Sequence, residues 1–162
     1  MAPLIVAGVD PGTTRIGYAV VSQQINGAEL LSAETITISG RSTVAERLGA
    51  LREALRERLS RDKPHAVAVE KLYFSKNVKT ALAVAEARGI ILLTASDLVP
   101  SIWEYAPLEV KVAVAGYGRA DKNQVRRAVR TLLPHASLPS GDDAIDAIAI
   151  ALTAIYTKRP AA

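Results

Sequence analysis

Several carboxylates sit in or directly after apolar runs, and this restricts the fold more than any other feature of the sequence. Leu4-Ile5-Val6-Ala7-Gly8-Val9 stops at Asp10, and Ala66-Val67-Ala68-Val69 stops at Glu70. Asp143 and Asp146 stand three apart at the head of Ala147-Ile148-Ala149-Ile150-Ala151-Leu152. Runs without polar alternation read as strands buried on both faces, and the last as a helix with few exposed faces. A carboxylate on such an element is costly to desolvate unless its charge is compensated. A divalent cation compensates several carboxylates at once. The pattern therefore points to a hydrolytic metal centre built on a small α/β domain.

The size fits one domain with one core, since the chain has 162 residues. We expect a single domain over 1–157 and a frayed tail over 158–162. A hydrophobic content of 49% excludes disorder. Charges interrupt every long apolar stretch, which argues against a membrane span. No basic region precedes the first run, which argues against a secretory leader. The absence of cysteine excludes disulfides, thiolate zinc sites and cysteine nucleophiles, and fits a cytoplasmic setting. A net charge of +4 agrees with a nucleic-acid partner without specifying one.

Periodicity orders the elements. Strands are expected over 4–10, 16–23 and 29–38, with Asn26-Gly27 as the hairpin signal between the last two. Thr43 and Glu46 form a capping-box pattern ahead of a helix with Val44, Leu48, Leu51, Leu55 and Leu59 on one face, stopped by Pro64. A short strand over 66–70, a helix over 77–89 with a kink at Gly89, and a strand over 101–105 come next. Helices over 107–115, 121–133 and 142–157 finish the chain, the second with an Asp121/Gln124 capping box. A strand–helix–strand connection makes a parallel pair, so the expected class is α/β with a mixed five-stranded sheet flanked by helices.

The chemistry follows from the strand ends. Pro11 ends the first strand and Gly12 lets the backbone turn, so Asp10 projects at a carboxyl end, where α/β sheets tend to bind ligands. Glu70 has the same geometry on another strand, and Asp143 and Asp146 share a helix face. Four such carboxylates suit two magnesium ions roughly 4 Å apart, a pair that activates water and stabilises the leaving oxygen of a phosphodiester. Taken singly, Asp10 reads as a turn residue, Glu70 as a strand-end surface acid, and Asp142, Asp143 and Asp146 as helix N-terminal acids favoured by the macrodipole. Asp142 keeps that role.

Val9-Asp10-Pro11-Gly12, the stretch from Val69 to Asn77, Glu104-Tyr105-Ala106-Pro107 with Val110-Lys111, and Asp142-Asp143-Ala144-Ile145-Asp146-Ala147 resemble the RuvC family of bacterial Holliday junction resolvases, in order and over nearly the whole chain. The resemblance implies an RNase H-like fold, magnesium-dependent cleavage with manganese as a substitute, a homodimer, four-way junction DNA as substrate and the RuvA–RuvB branch-migration complex as partner. It puts the acidic tetrad on Asp10, Glu70, Asp143 and Asp146, the junction-contacting aromatic on Tyr73 and the important basic residues on Lys111 and Lys122. Lys71 stands where many members carry glutamine.

The segment after Glu70 interleaves Tyr73 and Phe74 with Lys71, Lys76 and Lys79, in a chain only 4% aromatic. Aromatic faces stack on splayed bases and lysines neutralise phosphate, so Tyr73, Phe74 and Lys76 are candidate DNA contacts. The alternative is that the two rings pack into the core. Lys122, Arg126 and Arg130 repeat every four residues on one helix face. Lys122 and Arg126 are candidate phosphate contacts, and Lys111 a candidate for stabilising transition-state charge. His65 and His135 flank prolines and carry no assigned role. Small side chains at Ala81, Ala83, Ala85, Ala87 and Gly89 permit close helix approach.

Three rivals compete with junction resolution. An RNA–DNA hybrid hydrolase of the same fold needs only one active site, so neither the Tyr73 loop nor dimerisation would be required. An ATP-binding module of the actin and sugar-kinase type shares an Asp-x-Gly-Thr-Thr turn but needs two such domains. A non-catalytic DNA-binding scaffold would be expected to have lost a tetrad acid.

Overall fold

The first strands form because β-branched and apolar residues run unbroken on either side of a tight turn. A computed structural model describes residues 3–72 and 78–157. The proposed contacts Tyr73, Phe74 and Lys76 and the tail 158–162 lie outside the described residues. Within them, β1 (Ile5–Asp10), β2 (Arg15–Gln24) and β3 (Gly27–Thr37) make an antiparallel meander. The hairpin turn is centred one residue earlier than expected, on Ile25 and Asn26, because Gln24 already pairs with Gly27. Gly27 alone takes the unusual backbone angle there, with φ of +145°.

Next come α1 (Val44–Asp62), β4 (Ala66–Glu70), α2 (Val78–Leu98), β5 (Ile102–Tyr105), α3 (Pro107–Ala115), α4 (Lys122–Leu132) and α5 (Asp142–Thr157). The sheet order is β3-β2-β1-β4-β5. β4 runs parallel to both β1 and β5, which gives the expected mixed five-stranded sheet.

The Thr43 capping box starts α1, and Lys63 ends it in a left-handed conformation just before Pro64. Leu51, Leu55 and Leu59 are buried, but Val44, expected on the same face, is exposed in the first turn. The larger correction concerns α2. It runs through Gly89 to Leu98 instead of ending there. Ala87, Ile91 and Ala95 repeat every fourth residue and are buried against the leucines of α1 and the sheet. Burying that stripe outweighs the cost of about 1 kcal/mol for a glycine inside a helix.

Two cores form, one on each face of the sheet. Ala7, Val9, Val67 and Val69 face the side covered by α1 and α2. Val6, Ala19, Val21 and Ala68 face the side covered by α3, α4 and α5. Strand side chains alternate between faces. Asp10 and Glu70 therefore point to the α5 side.

Candidate active site

β1 and β4 pair in parallel with Val9 opposite Val69, so Asp10 and Glu70 are the next residues on neighbouring strands. Their carboxylates emerge side by side at the carboxyl ends of both strands, on the face that α5 covers. The approach of α5 depends on two glycines. A Cβ at Gly8 would collide with the backbone of Ala147 and Ala151, and one at Gly17 with the carbonyl of Asp143. Gly17 is also the partner of Asp10 across the β1–β2 pair. The first turn of α5 therefore lies directly on the strands, with Asp143 and Asp146 beside Asp10.

Burial and mutual repulsion shape the charges. Desolvation, then Asp146, Glu70 and Asp143, push the Asp10 carboxyl up to about 8, with Lys122 opposing. Desolvation and Asp146 push Glu70 up to about 7, with Lys111 opposing. Asp146 is also raised, first by desolvation, with Asp142 and Asp143 adding to it and Lys122 opposing. Strongly perturbed carboxyls gathered in one place mark a functional site rather than a solvated surface.

Two lysines face the acids. Lys111 on α3 and Lys122 at the start of α4 line a cavity of about 240 Å³ with Glu70, Asp146, Pro107, Val110, Val125 and Ala149. Helix caps fix both lysines: the Glu109 carboxylate accepts from the Ala106 N–H to start α3, and Asp121 and Gln124 cap α4 reciprocally. Lys122 Nζ lies 3.8 Å from Asp142 and 4.0 Å from Asp146. Arg126 is placed differently from a free phosphate contact. Its guanidinium donates to the carbonyls of Pro139 and Ser140 and to the Asp142 carboxylate, bracing the loop that leads into α5. His65 Nδ1 accepts from the Ile5 N–H and has no part in the cluster.

Two arginines that touch the candidate site are not singled out by any sequence pattern. Arg15, at the start of β2, pairs with Asp143 at 2.8 Å. Arg88 reaches from α2 to donate to the Glu70 carbonyl and pair with Glu104 on β5, so it pins the end of β4. The one available signal for Arg88 was a lone cation within a run of small and apolar helix residues.

Among the described residues, no three His, Cys, Asp or Glu side chains already clasp a common point. The donor set still fits a divalent ion of the magnesium type. It is all oxygen and anionic, and such an ion keeps several waters instead of demanding a closed cage. Arg15 and Lys122 already bring positive charge to Asp143 and Asp146. Asp10, Glu70, Asp143 and Asp146 are the residues that would hold the ion.

The raised carboxyls fix the sign of the pH dependence. Asp10 keeps its proton to about 8 when folded but releases it near 3.8 when unfolded. Its stabilising contribution is thus fully present below the unfolded value and is lost as pH rises through the folded one. Glu70, raised from 4.5 to about 7, acts in the same direction. The lowered carboxyls Glu46, Asp62 and Asp142 act only at more acidic pH. The metal-free protein should therefore lose several degrees of Tm between pH 5.5 and pH 8, each kcal/mol being worth about 2–4 °C in a chain of this size. Added Mg²⁺ should restore more at pH 8 than at pH 5.5. Thermal melts at both values check this, and a metal-free Tm that rises with pH would contradict the proposed cluster.

Comparison with known proteins gives a consistent picture. The family model for crossover junction endodeoxyribonuclease RuvC matches residues 6–154. A protein of that name from Roseiflexus sp. is 44% identical over 149 residues, covering 92% of this chain and 89% of the relative. Another from Petrotoga mobilis is 44% identical over 148 residues, covering 91% of each. The structure of T. thermophilus RuvC in complex with a Holliday junction substrate superposes with a TM-score of 0.88 at 37% identity, covering 96% of this chain and 95% of that one. The yeast mitochondrial resolvase Ydc2 superposes at 0.68 with 14% identity, covering 93% of this chain and 78% of that one, which speaks for the fold alone.

Proposed function

The chain belongs to the RuvC family of crossover junction endodeoxyribonucleases, and on that premise we propose that Asp10, Glu70, Asp143 and Asp146 form its catalytic metal site. Its fold is RNase H-like and its activity is that of a Holliday junction resolvase, a metal-dependent hydrolase acting in DNA recombination and repair. The observation that carries the site assignment is the convergence of Asp10, Glu70 and Asp146 as mutually repelling, desolvated carboxyls.

Two magnesium ions per subunit, with manganese able to substitute, would supply an activated water and neutralise charge on the phosphate. The protein's own residues do the rest. Asp10 and Glu70 are held rigidly by strand pairing, which fixes where a scissile phosphate must sit. Lys111 and Lys122 line the cavity beside them and attract the DNA backbone. Their charge opposes the build-up of negative charge during in-line attack. The products are a 3′-hydroxyl and a 5′-phosphate.

Junction resolution requires two cuts in strands of like polarity, and a two-fold dimer supplies two equivalent sites. An exposed stripe on α2 supports this assembly. Leu82 and Leu93 are 57% and 56% exposed, with Ala85 and Gly89 between them on the same face. A Cβ at Gly89 would meet nothing inside the subunit, so the glycine leaves room for a partner helix. Delivery by the RuvA–RuvB complex completes the reading. Among the described residues no helix is long and apolar enough to cross a membrane.

The direct test is cleavage of synthetic four-way junctions, duplex DNA and RNA–DNA hybrids, with and without Mg²⁺. Paired nicks in the junction alone, only with metal, are expected. Equal cutting of the hybrid would favour the hybrid hydrolase.

A further inference from the structure

One side-chain pair puts a cation directly on a carboxylate of the proposed metal centre. Arg15 Nε donates to Asp143 Oδ2 at 2.8 Å, and Nη2 lies 2.8 Å from the same oxygen. A divalent ion bound to the same carboxylate would stand within a few ångströms of the guanidinium, and the repulsion between the two cations works against the ion pair.

The geometry indicates which one moves. Asp143 lies in the first turn of α5, clamped on the sheet by the bare Cα of Gly17, and its side chain is 28% exposed. The Arg15 side chain is 58% exposed, on a long flexible arm. Arg15 starts β2, the strand that pairs with β1 and so with Asp10, and this places its Cα at the same edge of the site. The carboxylate is fixed and the cation is free to swing into water. Lys122 makes only longer contacts with its acids, at 3.8 and 4.0 Å.

We propose that Arg15 is a placeholder cation: it neutralises and orients Asp143 in the metal-free protein and is displaced from Oδ2 when a divalent ion binds. This rests on the reading of Asp143 as a metal ligand. Arg15 is then a positioning residue that sets the metal concentration at which the site loads. It keeps Asp143 from repelling its neighbours while the ion is absent, and every loading event must break its ion pair.

The test is calorimetric titration of the metal-free protein with Mn²⁺, without DNA, on wild type, Arg15→Gln, Arg15→Lys and Asp143→Asn. An ion pair this exposed is weak, so Arg15→Gln should bind Mn²⁺ about 2- to 5-fold more tightly. Arg15→Lys should fall between the two, since it keeps the charge but loses the fork. The advantage of Arg15→Gln should shrink at about 1 M salt, where screening already weakens the pair in wild type. Misfolding cannot produce a gain in affinity. If Asp143→Asn weakens Mn²⁺ binding while Arg15→Gln leaves it unchanged or weaker, the placeholder role is wrong and the ligand assignment stands. If Asp143→Asn leaves Mn²⁺ binding unchanged, the ligand assignment fails and the placeholder role fails with it.

Discussion

Glu70→Gln and Asp146→Asn should each lower junction cutting by about 10³-fold or more while leaving junction binding near wild type. Each change keeps side-chain size and removes one unit of negative charge. Losing an anionic ligand weakens and misplaces the metal that stabilises the transition state, and a loss of about 4 kcal/mol corresponds to about 10³-fold in rate. Binding survives because Lys111 and Lys122 are supported from other elements, by the caps of α3 and α4. The same substitutions should raise the Tm of the metal-free protein. Glu70 and Asp146 each carry a desolvated charge that repels its neighbours, and the amides do not. Stability and activity should thus move in opposite directions. Single-turnover cleavage, electrophoretic mobility shift and thermal melts measure all three quantities. Near-normal cutting by either variant would remove that residue from the metal site.

Tyr73→Ala should reduce junction cutting by about 10- to 100-fold, and Tyr73→Phe should be nearly silent. Tyr73 follows Glu70 by three residues, in a segment carrying Lys71 and Lys76. A ring three residues along the chain from a proposed metal ligand can stack on a base exposed near the crossover. Stacking is worth roughly 1–3 kcal/mol per base, which converts to about that range in rate. Phenylalanine keeps the stacking face and loses only the hydroxyl. Cleavage rates on a synthetic junction, with circular dichroism as a folding control, decide the matter. Unfolding by Tyr73→Ala, with an equal loss for Tyr73→Phe, would mean that the ring belongs to the core.

The parts of the site written in local sequence were legible there. Asp10 and Glu70 were found because an apolar run ending in an acid is a strand-end signal that needs no partner to interpret. Asp143 and Asp146 were found because a spacing of three has a fixed meaning on a helix. The caps of α1 and α4 were found for the same reason, since a side chain and a backbone N–H three residues apart close a local ring. Errors appear where a local rule met a distant contact. Gly89 was taken for a kink because glycine is a poor helix former, but Ile91 and Ala95 pack against α1 and carry α2 on to Leu98. Tertiary contacts also add a role that no local rule shows: Arg126, read as a phosphate contact on the face of Lys122, donates three bonds to the loop over 139–142.

By itself the sequence determined which acids are candidates for the chemistry, what elements they sit on and at which end. These are consequences of burial cost, periodicity and capping, all set within a few residues. Tertiary structure alone decided that the four acids meet. The order β3-β2-β1-β4-β5 makes β1 and β4 neighbours although 55 residues lie between Asp10 and Ala66. Gly8 and Gly17 matter only because α5 crosses them, and nothing local announces that crossing. The ties of Arg15 to Asp143, across 128 residues, and of Arg88 to Glu70 and Glu104 follow from the same packing. An ion pair of this kind leaves no periodic trace, because charge attracts through space and the chain's path through that space is set by the two cores.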